Sequence, residues 1–471
     1  MPQESTLLEE LTIQPVPESE RTGNVRHLFS FWFTVQIIPL AVVTGLLGPT
    51  VFGLDVKSTV LAIIVGSLVG AVFMALHSAQ GSRLGVPQMI QARAQFGMYG
   101  SVPITVIVVL IYVGWIVALM VLAQQTLGAV WTSLGTTAGL FLSTALTLFA
   151  VVVGYQLILR YNRVMVWLSG LALVVTLGYT GVHAADLGSG LANAGGSFTW
   201  AGFLGMASVV GVWQLSYAPY VSDYSRYLPS STTTRSAFWF TYLGAVLGVI
   251  GAMSVGAFLV AGLGEDGGLV DMDGFMPHGV FVFVMLMFFL GAIDAGVINM
   301  YGSSLCVLTC IQTFRLSWAP RAQARHLTAV LLAIAVFIVS TTVSDNFVTD
   351  YTNFILVLAY LLVPWSIINL IDYYLVHKGS YDPNSFSDPE SGYGVFNVPA
   401  LLSYGLGCLL QIPFMSTTLY IGPIAERTDA VDTSWIVGSI ATAFIYLGLL
   451  RLWRRPAIVS VLAAAETEVS A

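Results

Sequence analysis

Apolar residues in this chain gather into long uninterrupted runs, without the alternation of a strand or the one-sided stripe of a surface helix. Phe29 to Thr50, Thr59 to Leu76, Val102 to Leu122 and Phe281 to Leu290 carry almost no charge. About 20 such residues in helical form cross the hydrocarbon core of a bilayer, whereas membrane barrels show shorter alternating segments. The runs predict twelve spanning helices near residues 28–52, 58–79, 101–128, 136–156, 161–183, 200–222, 236–263, 278–305, 324–344, 350–376, 398–420 and 434–455. The expected fold class is an all-α integral membrane protein, with the lipid bilayer as its surroundings.

Composition agrees. Of 471 residues, 56% are hydrophobic and 9% charged, against about 25% charged in a soluble domain. The net charge of −7 is spread over two aqueous faces and points to no partner. Cys306, Cys310 and Cys408 lie in apolar runs and form neither a disulfide framework nor a metal-like cluster. Residues 1–27 are polar and acidic and read as a tail, not as a cleaved signal.

An even number of crossings puts both termini on one side, and the basic residues test the count, because cytoplasmic loops collect Lys and Arg. With the N-terminus inside, those loops carry Arg21, Arg26, Arg83, Arg93, Arg160, Arg163, Arg226, Arg235, Arg315, Arg321, Arg325, Lys378, Arg451, Arg454 and Arg455. Only Lys57 and Arg427 fall outside, and the outer stretch between segments 7 and 8 holds Glu265, Asp266, Asp271 and Asp273. A miscounted helix would invert every later loop. The expectation is a multi-pass protein of the cell membrane with both termini, including the tail at 456–471, in the cytoplasm.

Segment 1 contains Pro39 and segment 6 contains Pro219, 180 residues apart (219 − 39), with five segments beginning at each. Five is odd, so residues 200–376 would form a second repeat inverted relative to 28–183, leaving 398–455 as two peripheral helices. Proline removes a backbone donor, and paired helix breaks at mid-membrane mark the binding sites of many secondary transporters. Two ordinary proline kinks would look the same in sequence.

Several stretches resemble one family. VPESERTG (Val16 to Gly23) looks like the lead-in of bacterial cytosine permeases, and GSRLGVPQMIQARAQFGMYG (Gly81 to Gly100) resembles the segment 2–3 connection of the nucleobase–cation symporters. YVGW (Tyr112 to Trp115), APYVSDYSRYLP (Ala218 to Pro229) and INMYGSSL (Ile298 to Leu305) are similar to that family's segments 3, 6 and 8. The resemblance implies a LeuT-like fold of two inverted five-helix repeats plus two peripheral helices. It also implies symport of a nucleobase, hydantoin or allantoin-like ring with Na⁺ or H⁺, and an aromatic sandwich carried over to Trp115 and Trp213.

The residues themselves suit such a substrate. A flat heterocycle is held by aromatic faces and a few edge hydrogen bonds. Gln36, Gln214, Tyr217 and Asn299 are polar groups inside apolar runs, and an amide offers both donor and acceptor atoms. Interhelical hydrogen bonding is the plainer role for each. The alignment around Pro219 leaves open which of Trp213 and Gln214 faces the substrate. Where some relatives have a glutamine one turn beyond the segment 3 tryptophan, this chain has Leu119, which argues against a hydantoin-type pattern.

Relatives that use Na⁺ place two hydroxyls in segment 8, with carbonyls of broken segment 1 near Phe33 and Gln36. Here no hydroxyl occurs between Met285 and Tyr301, and Asp294 stands in that stretch. A mid-membrane carboxyl is a functional candidate by default. A dry interior favours the protonated carboxyl, so H⁺ coupling is expected over Na⁺. Asp223 and Arg226 read as an interfacial pair or inner gate, and Asp372 as similar; His27, His77, His183, His278, His326 and His377 are placed at helix ends or in loops.

No nucleophile–base pair, HExxH or GxxxxGK[ST] motif appears, so an enzyme and an ATP-driven pump are disfavoured. No cofactor, metal, nucleic acid or obligate protein partner is expected. The function expected is import of a cytosine- or purine-type nucleobase by cation symport. A related ring such as allantoin, hydantoin or a vitamin-precursor pyrimidine is the alternative, and an amino-acid transporter on the same fold a further one.

Overall fold

Residues 13–153, 155–186, 195–263, 268–343, 347–428 and 430–453 are described by a computed structural model. Glu265, Asp266, Arg454, Arg455 and the tails at 1–12 and 456–471 fall outside that description, as do the side chains of Arg160 and Arg163.

Local chemistry sets the helix ends. The helices are α1 (Arg26–Gln36), α2 (Pro39–Thr50), α3 (Val56–Leu84), α4 (Gln88–Phe96), α5 (Ser101–Val130), α6 (Thr136–Val153), α7 (Tyr155–Asp186), α8 (Trp200–Leu215) and α9 (Ala218–Ser225). They continue with α10 (Thr234–Leu263), α11 (His278–Thr313), α12 (Ala322–Ser340), α13 (Phe347–Leu370), α14 (Val398–Gln411) and α15 (Ser434–Leu452). Asp55 caps α3 by accepting from Ser58 N at 2.7 Å, and Gly85 ends it at φ +67, a left-handed position that suits glycine. Among the described residues nine helical spans, α8 with α9 counting as one, are long and apolar enough to cross a bilayer, and α1 with α2 makes a tenth span bent by 60°. The shorter apolar stretches Trp167–His183 and Val398–Phe414 bring the count to the expected twelve.

Two helix groups face each other. In one, α3 lies against α8, α9 and α10, and α10 also packs on α1 and α2. In the other, α5 lies against α11, and α6 packs on α5, α11 and α12. α7 touches both groups, and α13 runs beside α8, α14 and α15. Glycine lets the first group close up. A Cβ on Gly45 would lie 1.9 Å from Met253 O, and one on Gly256 1.9 Å from Val42 O, so α2 and α10 meet backbone to backbone. Small residues serve membrane helix pairs in this way, because dispersion replaces the hydrophobic effect there.

The loops sort to two faces. On the N-terminal face, Gln14 Nε2 donates to Pro320 O, Val16 N to Gly85 O and Gly23 N to Tyr227 O. Ile13 is buried in a cluster with Leu84, Ile90, Leu308 and Tyr381. Residues 13–23 therefore strap together the ends of α3 and α9 and the start of α12. On the opposite face Asn353 bonds to Thr418, and Tyr360 donates to Asp432 Oδ2 at 2.7 Å. This sidedness matches the twelve-crossing count.

Three details differ from the sequence reading. The segment 2–3 connection, given no helix in the sequence reading, holds α4, all of whose residues are buried. His77 is not at a helix end; it is fully buried seven residues before the end of α3, with Nδ1 2.8 Å from Phe73 O and its ring stacked on Trp365. The inner end of segment 10 turns into a π-helical stretch, Ile371–Val376. Its Asp372 accepts from the Tyr381 and Tyr446 hydroxyls and lies 3.0 Å from His377 Nδ1. Periodicity misses such features because each is specified by contacts remote in sequence.

Replacing Gly45 by Val is expected to destabilise the protein by about 1–3 kcal/mol through overpacking, read as a lowered thermal unfolding midpoint. Gly170→Val, where an added Cβ meets nothing within 4 Å, leaves the midpoint unchanged. Equal midpoints for parent and Gly45→Val would refute the close approach of α2 and α10.

Candidate functional site

Segment 1 breaks where its hydrogen bonds fail. Pro39 has no N–H to offer the carbonyl of Val35. Ile37 N turns back to Thr34 O and Ile38 N to Gln36 O, and Ile38 is extended at φ −135, ψ 156. Segment 6 is interrupted more gently. Tyr217 N bonds to Gln214 O, while the Ser216 hydroxyl donates to Trp213 O at 2.7 Å. With that carbonyl covered, α8 and α9 continue as one span, Trp200–Ser225, without the sharp bend of α1–α2. Both interruptions are real, but only the first bends its span by more than 40°.

The breaks meet through side chains. Trp213 Nε1 donates to Gln36 Oε1 at 2.6 Å, and Gln36 Nε2 reaches Gln214 Oε1 at 3.5 Å. Gln214 then donates to Ser67 Oγ at 3.0 Å and Ala245 O at 3.1 Å, so it is turned into α3 and α10. Trp213 is turned toward α5, where it meets Trp115 edge to face at 5.2 Å and 85°. The two indoles touch. A parallel slot for a flat ring needs faces about 7 Å apart, twice the carbon–carbon contact distance, and this arrangement provides none until one indole swings.

Two aromatic layers enclose the pair. Toward the face opposite the N-terminus, Trp115 meets Phe354 at 5.5 Å and Tyr351 at 6.1 Å, and the Tyr351 hydroxyl is 2.7 Å from Thr44 Oγ1 of α2. Toward the N-terminal face, Trp32 contacts Tyr217 at 5.6 Å, Tyr220 at 6.4 Å and Tyr224 at 5.8 Å. All of these rings are buried except Phe354, which is half-buried. Three buried polar atoms here have no hydrogen-bond partner among the described residues: Trp32 Nε1, Trp115 Nε1 and Asn299 Oδ1. Asn299 spends its amide N–H on Ala295 O at 2.8 Å.

The expected ion residues separate. Asp294 is buried in α11, and the Tyr161 hydroxyl bonds to Leu290 O one turn before it at 3.0 Å. A Cβ on Gly291 would lie 3.0 Å from Ile37 O, so α11 packs directly on the broken turn of segment 1. The carbonyl of Phe33 instead faces α10, 2.8 Å from where a Gly248 Cβ would stand. Among the described residues no group of three His, Cys, Asp or Glu could hold a metal ion.

Asp223 and Arg226 are both buried at the end of α9. Asp223 Oδ1 accepts from Gln88 N at 2.8 Å, at the N-terminus of α4. Arg226 donates to the Tyr227 and Tyr301 hydroxyls at 2.9 and 3.3 Å. The other end of α4 is pinned by Arg93, which donates to Thr309 O, Gln312 Oε1 and Thr313 Oγ1 of α11 and to Ser387. Burial pushes the Arg93 guanidinium down to about 10.

Residues 15–438 match the family model for permeases of cytosine/purines, uracil, thiamine and allantoin. The chain belongs to this family. A Bacillus subtilis protein assigned by name to the purine-cytosine permeases, YxlA, is 35% identical over 456 residues, 94% of this chain and 96% of its own. The Emericella nidulans purine-cytosine permease fcyB is 23% identical, over 94% of this chain and 88% of its own. Among solved structures, the closed, bromovinylhydantoin-bound form of Mhp1, a nucleobase-cation-symport-1 family transporter, superposes with a TM-score of 0.76 at 16% identity, covering 95% of this chain and 96% of that one. A Na⁺-coupled sialic acid symporter scores 0.62 at 11% identity, covering 93% and 92%. The permease thus has the LeuT-like fold, with two inverted five-helix repeats and two peripheral helices, and it is a membrane transporter and not an enzyme.

Sequence reasoning did not find Trp32, Thr44, Tyr351 or Phe354. Each is an aromatic or hydroxyl residue in a span, and nothing local separates it from packing. It also gave no role to Arg93, although a charge within the family-like 2–3 stretch was the available signal.

Gln36→Leu is expected to leave the buried Trp213 N–H unpaired and to cost about 1–3 kcal/mol, read in the thermal midpoint. Adding Trp213→Phe removes the orphaned donor, so the double variant should be less destabilised than the sum of the single ones. Strict additivity would show that the two side chains are uncoupled.

Proposed function

We propose that this permease imports a cytosine- or purine-type nucleobase by alternating access, from a site between Trp115 and Trp213. The observation that carries the reading is their direct contact beside the segment 1 break, with Gln36 fixing the Trp213 edge. A ring entering there parts the two indoles and stacks on their faces. The free Trp115 N–H and Asn299 carbonyl are then a donor and an acceptor for the edges of the ring. Tyr217 lines the N-terminal side of the same space. Gln214 supports Gln36 from behind.

The two aromatic layers act as gates. Thr44 and Tyr351 join α2 to α13 on one side, and Trp32 with Tyr217, Tyr220 and Tyr224 closes the other. Asp223 and Arg226 tie the inner end of segment 6 in place. The excess of Lys and Arg on the N-terminal face supports a cell-membrane orientation with both termini in the cytoplasm.

Coupling runs through H⁺ at Asp294. Na⁺ needs a cage of several oxygens, and Phe33 O, one of the carbonyls expected to supply it, is directed at α10. A carboxyl that takes up and releases a proton needs no cage. Its neighbourhood, with Gly291 against Ile37 O, lets a change at Asp294 act on the broken turn of segment 1.

In proteoliposomes, Trp115→Ala and Trp213→Ala are each expected to weaken cytosine or adenine binding by about 1–3 kcal/mol, as loss of a large aromatic anchor does, while Trp→Phe retains more. Unchanged binding in both Ala variants rejects the site. For coupling, uptake should persist without Na⁺ and rise with an inward proton gradient, and Asp294→Asn should bind substrate but lose gradient-driven accumulation. Strict Na⁺ dependence of binding at constant pH, abolished in Asp294→Asn, reverses the assignment and makes the carboxylate a sodium ligand.

A further inference from the structure

Where α11 leaves the bilayer on the N-terminal face, the turn before α12 is built from residues that the transport cycle above does not use. Thr313 ends α11, and Phe314, Arg315, Leu316, Ser317 and Trp318 line a cavity of about 690 Å³ together with Tyr99, just before α5. Phe314 is 68% exposed and stacks on Tyr99 at 5.7 Å; Phe396, 52% exposed, tilts against the same tyrosine at 6.0 Å. Large aromatics at the end of a membrane-spanning helix belong to the headgroup level, where their rings are amphipathic anchors. Phe314 and Phe396 therefore give this turn an exposed aromatic side.

Its other side is cationic and unpaid. Arg315 is exposed, and among the described residues no carboxylate pairs with it. Arg321 follows, and the chain has no Asp or Glu between Asp294 and Asp345. The turn folds so that Trp318 N bonds to Arg315 O at 2.8 Å and Gln312 Nε2 to Leu316 O at 3.4 Å. Ser317 lines the same cavity as Arg315. A guanidinium beside a hydroxyl suits a phosphate diester, and the exposed aromatic side suits acyl chains.

We propose that this turn binds the headgroup of an anionic phospholipid, with Arg315 on the phosphate and Phe314 and Phe396 against the first methylenes of the chains. Basic pockets at the membrane face take anionic lipids in this manner. The site does not depend on the nucleobase or on the coupling ion. It does place a lipid on the segment that Arg93 ties to α4, since Thr313 is a partner of both the guanidinium and the cavity wall.

The test is native mass spectrometry of the full chain in neutral detergent, with phosphatidylglycerol and phosphatidylcholine offered separately. Phosphatidylglycerol should be retained in preference, and Arg315→Gln should lower its occupancy about fivefold, the effect of one basic residue near an anionic surface. Arg315→Lys should keep most of the preference. Lys57→Gln, on the opposite face, should change nothing. Phe314→Ser, which keeps the charge, should also lose retention. Equal retention of the two lipids, or an Arg315→Gln variant that binds like the parent, overturns the proposal. Displacement of the lipid by millimolar inorganic phosphate alone overturns it as well, because the site would then read free phosphate and not lipid.

Discussion

A backbone polar group without a partner in hydrocarbon costs several kcal/mol, and Pro39 leaves the Val35 carbonyl without its helical donor. The rest of the molecule is arranged around keeping that broken turn away from lipid. Gly248 of α10 and Gly291 of α11 have no side chains, so two helices from different groups close on the carbonyls of Phe33 and Ile37. Gln36 and Trp213 fill the remaining side. The break is thereby enclosed by protein, the condition under which irregular backbone survives at membrane depth.

The two breaks meet the same constraint unequally. Ser216 donates its hydroxyl to Trp213 O, and α8 with α9 forms one span without a bend above 40°. Pro39 withholds a donor from Val35 O and Pro219 from Leu215 O alike, yet it is α1 and α2 that bend by 60°. The sharply bent segment lies against Gly291, one turn from Asp294, whereas the straighter segment presents Trp213 to Trp115. In the proposed cycle, ion chemistry and ring recognition belong to different breaks. The two breaks are joined by the hydrogen bonds from Trp213 to Gln36 and from Gln36 to Gln214.

On the N-terminal face the link between the two helix groups is α4. Asp223 of segment 6 accepts from its first turn and Arg93 in its last turn grips the end of α11. A helix N-terminus suits a carboxylate because its amides are unpaired and its dipole is positive there. Arg93 has only neutral partners, so its charge is held by dipoles and not by a counter-ion. Any motion of segment 6 relative to α11 must either carry α4 along or break one of these ends.

The long apolar runs, the paired prolines and the asymmetry of Lys and Arg were enough to read twelve spans, two faces and an inverted repeat, because each depends on composition over 20 or so residues and on covalent chemistry. The family-like stretches pointed to the nucleobase permeases, and Trp115, Trp213 and Gln36 were recognisable as polar or aromatic positions where an apolar one would serve packing as well. Tertiary structure alone decided which way each of them turns. Trp213 and Gln214 are neighbours in sequence, and a helix rotates successive residues by about 100°, so one reaches Trp115 and the other Ser67. The same holds for the Thr44–Tyr351 contact and for α4, whose partners lie more than 130 residues away. Period and composition describe a helix's own faces; what those faces meet is settled only when the helices pack.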